Sequence, residues 1–111
     1  MAATPESKVK AKIKDLLTKY NVYYAMPIGT MYGNSGVPDF LCCVRGRFMA
    51  IEAKAGKGTT TALQEKNLKQ IRESGGLTAV IYETNIADLK AWFEGETDNI
   101  TGGRGDDDRK S

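Results

Sequence analysis

The stretch Pro38-Asp39-Phe40-Leu41-Cys42-Cys43-Val44-Arg45-Gly46-Arg47-Phe48-Met49-Ala50-Ile51-Glu52-Ala53-Lys54 decides the fold of this chain. Two short runs rich in branched and aromatic residues, Phe40 to Val44 and Phe48 to Ala53, flank the three-residue turn Arg45-Gly46-Arg47, which predicts a β-hairpin. Side chains alternate along a strand, so Glu52 and Lys54 leave the sheet on the same face, and the hairpin folds Asp39 back beside them. The run Phe48-Met49-Ala50-Ile51 is apolar at every position, the pattern of a strand covered on both faces. An acid and a lysine at the end of such a strand are costly to bury without a partner or a task.

Outward from the hairpin, Thr61-Ala62-Leu63-Gln64 reads as a capping box opening a helix to about Ser74, with Gly75-Gly76 as its stop. Gln64, Leu68 and Ile71 fall on one stripe of that helix and face the core. Upstream, Val9, Ile13, Leu16, Leu17 and Tyr20 recur at helical spacing, with Thr4 as N-cap and Pro5 at the first helical position. A strand over Val22 to Met26 and a glycine-punctuated loop from Pro27 to Val37 lead into the hairpin. After the loop Ala55 to Thr60 and the Gln64 helix come an apolar strand, Leu77 to Tyr82, and a helix from about Ile86 to Phe93 capped by Asn85 or Thr84, with Trp92 and Phe93 exposed. The order αβββαβα predicts an α/β sandwich, a mixed sheet flanked by helices, within one domain over residues 1–97. From Asp98 to Ser111 the composition turns to Gly, Asp, Arg and Lys, and a disordered charged tail is expected.

Composition narrows the chemistry. The chain has 111 residues, 41% hydrophobic and 27% charged, ordinary for one globular domain. No apolar run is long enough to cross a bilayer and no signal-peptide pattern opens the chain, so an intracellular, soluble protein is expected. There is no histidine, which excludes triads with an imidazole base and histidine-ligated metal sites. Cys42 and Cys43 are adjacent on a strand, point to opposite faces and have no companions for zinc, so they read as packing residues. The net charge of +2 includes an acidic tail, which leaves about three excess positives on the rest, compatible with nucleic-acid binding without requiring it.

Asp39 and Glu52 form a sufficient protein half of a magnesium site, because this hard octahedral ion is usually held by one or two carboxylates plus waters and phosphate oxygens. At such a site the ion acidifies a bound water and neutralises charge on a phosphodiester, while Lys54 steers the water or stabilises the transition state. The plainer reading is that Glu52 and Lys54 simply pair on a strand face. Gln64 has two readings, a partner that orients Lys54 or a metal-bound water, and the reciprocal half of the capping box. Glu6, on the inward stripe of the first helix, is either a third metal carboxylate or a first-turn residue suited to the helix dipole. Lys8 and Lys12, among the five lysines of that helix, are candidates to hold phosphates. The other candidate nucleic-acid contacts are Arg45 and Arg47 at the hairpin turn, Lys57 and Thr60 in the loop after Lys54, and Tyr32 in the glycine-rich loop.

Together these residues resemble a family. Pro38-Asp39, Glu52-Ala53-Lys54 and a following helix bearing Gln64 look like the PD-(D/E)xK nuclease superfamily. Gly36-Val37-Pro38-Asp39-Phe40-Leu41, Arg45-Gly46-Arg47-Phe48 and Ala50-Ile51-Glu52-Ala53-Lys54 are similar to its VRR-Nuc branch, the stand-alone phage and bacterial form of the nuclease module of Fanconi-associated nuclease. The likeness runs from about Glu6 to Tyr82. It implies a restriction-endonuclease-like core, αβββαβ, with a C-terminal helix added. It implies magnesium or manganese held by Asp39, Glu52 and the Ala53 backbone carbonyl, with Lys54 in catalysis, Gln64 in support and Glu6 joining the site. It further implies a homodimer acting on branched DNA such as Holliday junctions, in the cytoplasm of a bacterial host if phage-encoded. The alternatives are a flap, duplex or restriction-type endonuclease, and a nuclease-dead DNA-binding module. Ala53 stands where the family often has valine, on the buried side of the strand.

Overall fold

A computed structural model describes residues 4–28 and 36–95. The order is α1 (Pro5–Lys19), β1 (Tyr23–Ala25), β2 (Phe40–Val44), β3 (Arg47–Ala53), α2 (Ala62–Glu73), β4 (Leu77–Ile81) and α3 (Ile86–Phe93). The four strands form one mixed sheet in the order β1-β2-β3-β4. The β1-β2 and β2-β3 pairs are antiparallel and β3-β4 is parallel, with α2 as the crossover. The α/β class and the element order expected from the sequence are therefore present. Among the described residues no helix is long and apolar enough to cross a membrane. The expected tail, 98–111, and Tyr32 lie outside the described residues.

Period-two alternation divides the sheet into two unlike faces. Phe40, Cys42, Val44, Met49, Ile51, Ala53, Leu77, Ala79 and Ile81 point to one face, where Val9, Ile13 and Leu17 of α1 and Leu89, Trp92 and Phe93 of α3 complete the core. Ala50, Glu52, Lys54 and Thr78 point to the other face, beneath α2, whose Leu68 is buried. From Met49 to Ala53 every residue of β3 is buried, but Phe48, which opens the apolar run expected to be covered on both faces, is 46% exposed, because β4 begins opposite Met49 and leaves Phe48 at the end of the sheet. Burial pushes the Cys42 thiol up to about 12, so Cys42 is an inert packing residue, while Cys43 is exposed on the opposite face.

Three local readings need correction. Val44 pairs with Arg47, so the hairpin loop is Arg45-Gly46 alone, two residues instead of three. Both have positive φ, 50° and 81°, the requirement of the turn whose twist matches the flanking strands. The first strand is shorter than Val22 to Met26 because Asn21 takes φ 56° and the Val22 N–H donates to the Leu17 carbonyl, which uses Val22 in the helix exit. Trp92 and Phe93 are 6% and 7% exposed rather than open to solvent. The Arg45 guanidinium lies 4.6 Å from the Trp92 ring centroid and donates to the Trp92 and Phe93 carbonyls, which pins the hairpin turn to the end of α3.

Asn85 precedes α3, as expected, but its side chain bonds no helix N–H. It accepts from the Tyr82 N–H at 2.6 Å and donates to the Val80 carbonyl at 3.1 Å, closing the turn between β4 and α3.

Candidate functional site

The site forms where β3 ends beside β4. The Lys54 N–H donates to the Ile81 carbonyl at 2.9 Å, so the ladder runs one residue past Ala53 and Lys54 stays in phase with Glu52. Phe40 opposite Ile51 sets the register that brings Asp39, one residue before β2, across from Glu52. Two reciprocal bonds then lock the pair: the Asp39 N–H donates to Glu52 Oε1 at 3.2 Å, and the Ala53 N–H donates to Asp39 Oδ2 at 2.8 Å. Each carboxylate is thus aimed by the backbone beside the other acid.

Gln64 forms the reciprocal cap, and its second contact is with Glu52 rather than with Lys54. Its Oε1 accepts from the Thr61 N–H at 2.9 Å, the reciprocal half of the capping box, and its Nε2 donates to Glu52 Oε2 at 2.8 Å. The helix cap therefore fixes the rotamer that reaches the acid. Gly36 allows this closeness. A Cβ there would lie 2.7 Å from the Leu63 carbonyl carbon and 2.9 Å from the Gln64 nitrogen, and Gly36 has φ 83°. Only glycine lets the lead-in to Asp39 pass so near the first turn of α2.

Glu52 is 1% exposed and Lys54 8%, with Lys54 Nζ 3.6 Å from Glu52 Oε2. Desolvation by burial, then the negative charge of Asp39, push the Glu52 carboxyl up to about 7, against the pull of Lys54 and of the Asp39 N–H. A buried carboxylate held beside a second one is the donor set a divalent cation relieves, and two are enough for magnesium. The residues present fit such an ion. Among the described residues no group of three or more acid, cysteine or histidine side chains is placed to share a metal, so Glu6 is not joined to the pair. It is half-buried and lines a neighbouring cleft with Thr4, Pro5, Ser7, Lys10, Ala55 and Gly56.

Lys10, which the sequence does not single out from the other lysines of α1, is the one that reaches the acids. Its Nζ lies 3.4 Å from Asp39 Oδ1, with the side chains 35% and 18% exposed. The available signal was its spacing, three before Ile13, at the rim of the buried stripe. Lys8 and Lys12 gather instead at Glu83, just past β4. Lys12 Nζ is 2.8 Å from Glu83 Oε2, and this hydrogen bond and charge, with a smaller contribution from Lys8, hold the Glu83 carboxyl below its ordinary range.

Lys57 and Thr60 belong to the loop that leaves Lys54, at the same end of the sheet as the acids. The Tyr82 hydroxyl braces that loop by donating to the Gly58 carbonyl at 2.8 Å, and the Thr60 hydroxyl donates to Glu65. Arg45 and Arg47 sit at the other end of β3, about 17 Å from Glu52 at the ordinary strand rise. The structure does not bring them to the acid pair, because a hairpin places its turn at the end away from Asp39.

No protein-family model matches the chain, and no curated protein matches it.

Proposed function

We propose that this protein is a metal-dependent DNA endonuclease that hydrolyses phosphodiester bonds, with branched DNA such as a Holliday junction as its substrate. The observation that carries the reading is the clamp of the two acids, Glu52 by the Asp39 N–H and Asp39 by the Ala53 N–H, with the buried Lys54 ammonium 3.6 Å from Glu52. Asp39 and Glu52, with the Ala53 carbonyl, would hold magnesium or manganese. The chemistry such an ion supplies is an acidified water and neutralisation of the charge that builds on the phosphodiester. Gln64 fixes the Glu52 carboxylate through its Nε2, so the acid does not turn away when its charge is engaged. Lys54 brings a positive charge to the same face, where it orients the water or meets the developing negative charge on phosphorus-bound oxygen. Lys57 and Thr60, in the loop that leaves Lys54, would contact the DNA backbone.

The α/β order and the mixed sheet support a restriction-endonuclease-like core, and with the motifs around Asp39 and Glu52 they support membership of the VRR-Nuc branch. The described residues are taken up by the sheet, its helices and short connections, which favours recognition of DNA shape by a homodimer over restriction-type specificity. The test is incubation of the purified protein with labelled four-way junction, flap, duplex and single-stranded DNA, in magnesium, manganese or EDTA, beside Asp39→Ala. Metal-dependent cutting of the junction that the variant lacks supports the reading. Cutting of flap or duplex instead reassigns the substrate, and binding without cutting in either metal makes the chain a nuclease-dead DNA-binding module.

A further inference from the structure

The two acids are matched by two ammonium groups, one each. Lys54 stands against Glu52 Oε2 at 3.6 Å and Lys10 against Asp39 Oδ1 at 3.4 Å. The two contacts differ in kind. Lys54 is 8% exposed and anchored at the end of β3, whereas the Lys10 side chain is 35% exposed and reaches in from α1. Asp39 Oδ2 is committed to the Ala53 N–H at 2.8 Å. The oxygen left to face an incoming cation is therefore Oδ1, the one Lys10 covers. Lys10 also lines a cleft of about 570 Å³ with Thr4, Ser7 and Gly56, so an ammonium leaving Asp39 has an open place to go.

We propose that Lys10 is a metal-displaced positioning residue: in the metal-free protein its ammonium holds Asp39 Oδ1, and a divalent cation releases it into the adjoining cleft, where it takes a nucleic-acid backbone phosphate. The inference rests on the proposed metal site at Asp39 and Glu52. Its physical basis is charge balance. Two carboxylates against two ammoniums make a neutral cluster, which attracts neither cation nor phosphate strongly. Adding a divalent cation leaves the same cluster with two net positive charges and one freed ammonium, a receptor for a phosphodiester. Metal binding and DNA-backbone binding are then coupled, each strengthening the other by the same factor.

The experiment compares the wild type, Lys10→Met and, as a control, Lys14→Met, an exposed lysine of the same helix. Manganese affinity is read by electron paramagnetic resonance, and affinity for a labelled four-way junction is read with and without calcium. Removing a competing ammonium from a partly exposed ion pair should tighten manganese binding in Lys10→Met by roughly two- to fivefold. The same variant should lose several-fold of the calcium-stimulated junction affinity, and Lys14→Met should keep the wild-type manganese affinity. An ammonium that stays on Asp39 would also weaken manganese binding through its charge, but its removal would leave the calcium-stimulated junction affinity unchanged, so the junction measurement separates displacement from mere charge removal. Equal manganese affinity in the wild type and Lys10→Met overturns the proposal, as does an identical calcium response. A wild-type protein that binds no manganese overturns the metal site itself, a result distinct from either.

Discussion

Glu52 couples the stability of this fold to pH and, through the proposed site, to metal. Burial and the charge of Asp39 raise its carboxyl from 4.5 in the unfolded chain to about 7 in the folded one. The folded protein thus favours protonated Glu52, and that contribution is fully present below pH 4.5. It is lost as the pH climbs through 4.5 to 7, since the ionised acid is penalised in the fold and not in the unfolded chain. At about 1.4 kcal/mol per pH unit the loss amounts to about 3 kcal/mol, or a fall in Tm of roughly 10–20 °C for a domain of this size. A divalent cation binds the ionised form, so saturating magnesium should remove most of the fall above pH 7. The assay is urea denaturation between pH 4.5 and 8.5, in EDTA and in magnesium, for the wild type and Glu52→Gln. The variant's amide must set its nitrogen against either the Asp39 N–H or the Gln64 and Lys54 donors, which offsets its absolute stability by a pH-independent amount, so the slope is the readout. In EDTA the wild type should lose stability across this range relative to the variant. Parallel curves for the two proteins would refute the account of Glu52.

Other substitutions separate the parts of the structure. Gly36→Ala places a methyl 2.7 Å from the backbone of Leu63 at a φ of 83°, and should cost about 2–4 kcal/mol in urea denaturation as well as weakening manganese binding, because Gln64 is displaced. Gln64→Ala removes the reciprocal cap and the bond to Glu52 together, and should cost about 1–2 kcal/mol, with a drop in cleavage rate that Gln64→Glu does not restore. Arg45→Ala breaks the stack on Trp92 and the bonds to the Trp92 and Phe93 carbonyls; it should lower stability by about 1–2 kcal/mol while manganese affinity stays at the wild-type value.

Much of this site is local in the chain, which is why it could be read there. Asp39, Glu52 and Lys54 lie on one hairpin, and strand alternation with a tight turn is enough to gather them. Gln64 was legible through the capping box, but its partner was not: the amide group left over from the cap reaches Glu52 and not the expected Lys54, a choice set by how α2 docks on the sheet. What stayed hidden depends on how elements dock. The lysines of α1 are spread around the helix, and only the packing of α1 on the sheet selects Lys10 to meet Asp39 and turns Lys8 and Lys12 toward Glu83. Arg45 drew attention as a charge at a turn, yet its positive φ and its contacts with α3 make it a brace. Trp92 and Phe93 end a short helix, where spacing alone does not reveal that the core closes over them.

In the proposed enzyme Asp39 and Glu52 form one divalent-cation site. The most direct measurement is a manganese titration of the metal-free protein followed by electron paramagnetic resonance, for the wild type and Asp39→Asn, a variant that retains an acceptor for the Ala53 N–H. One manganese per chain in the wild type, weakened at least about tenfold in the variant, is the predicted result. Manganese bound equally by both proteins, or by neither, would contradict it.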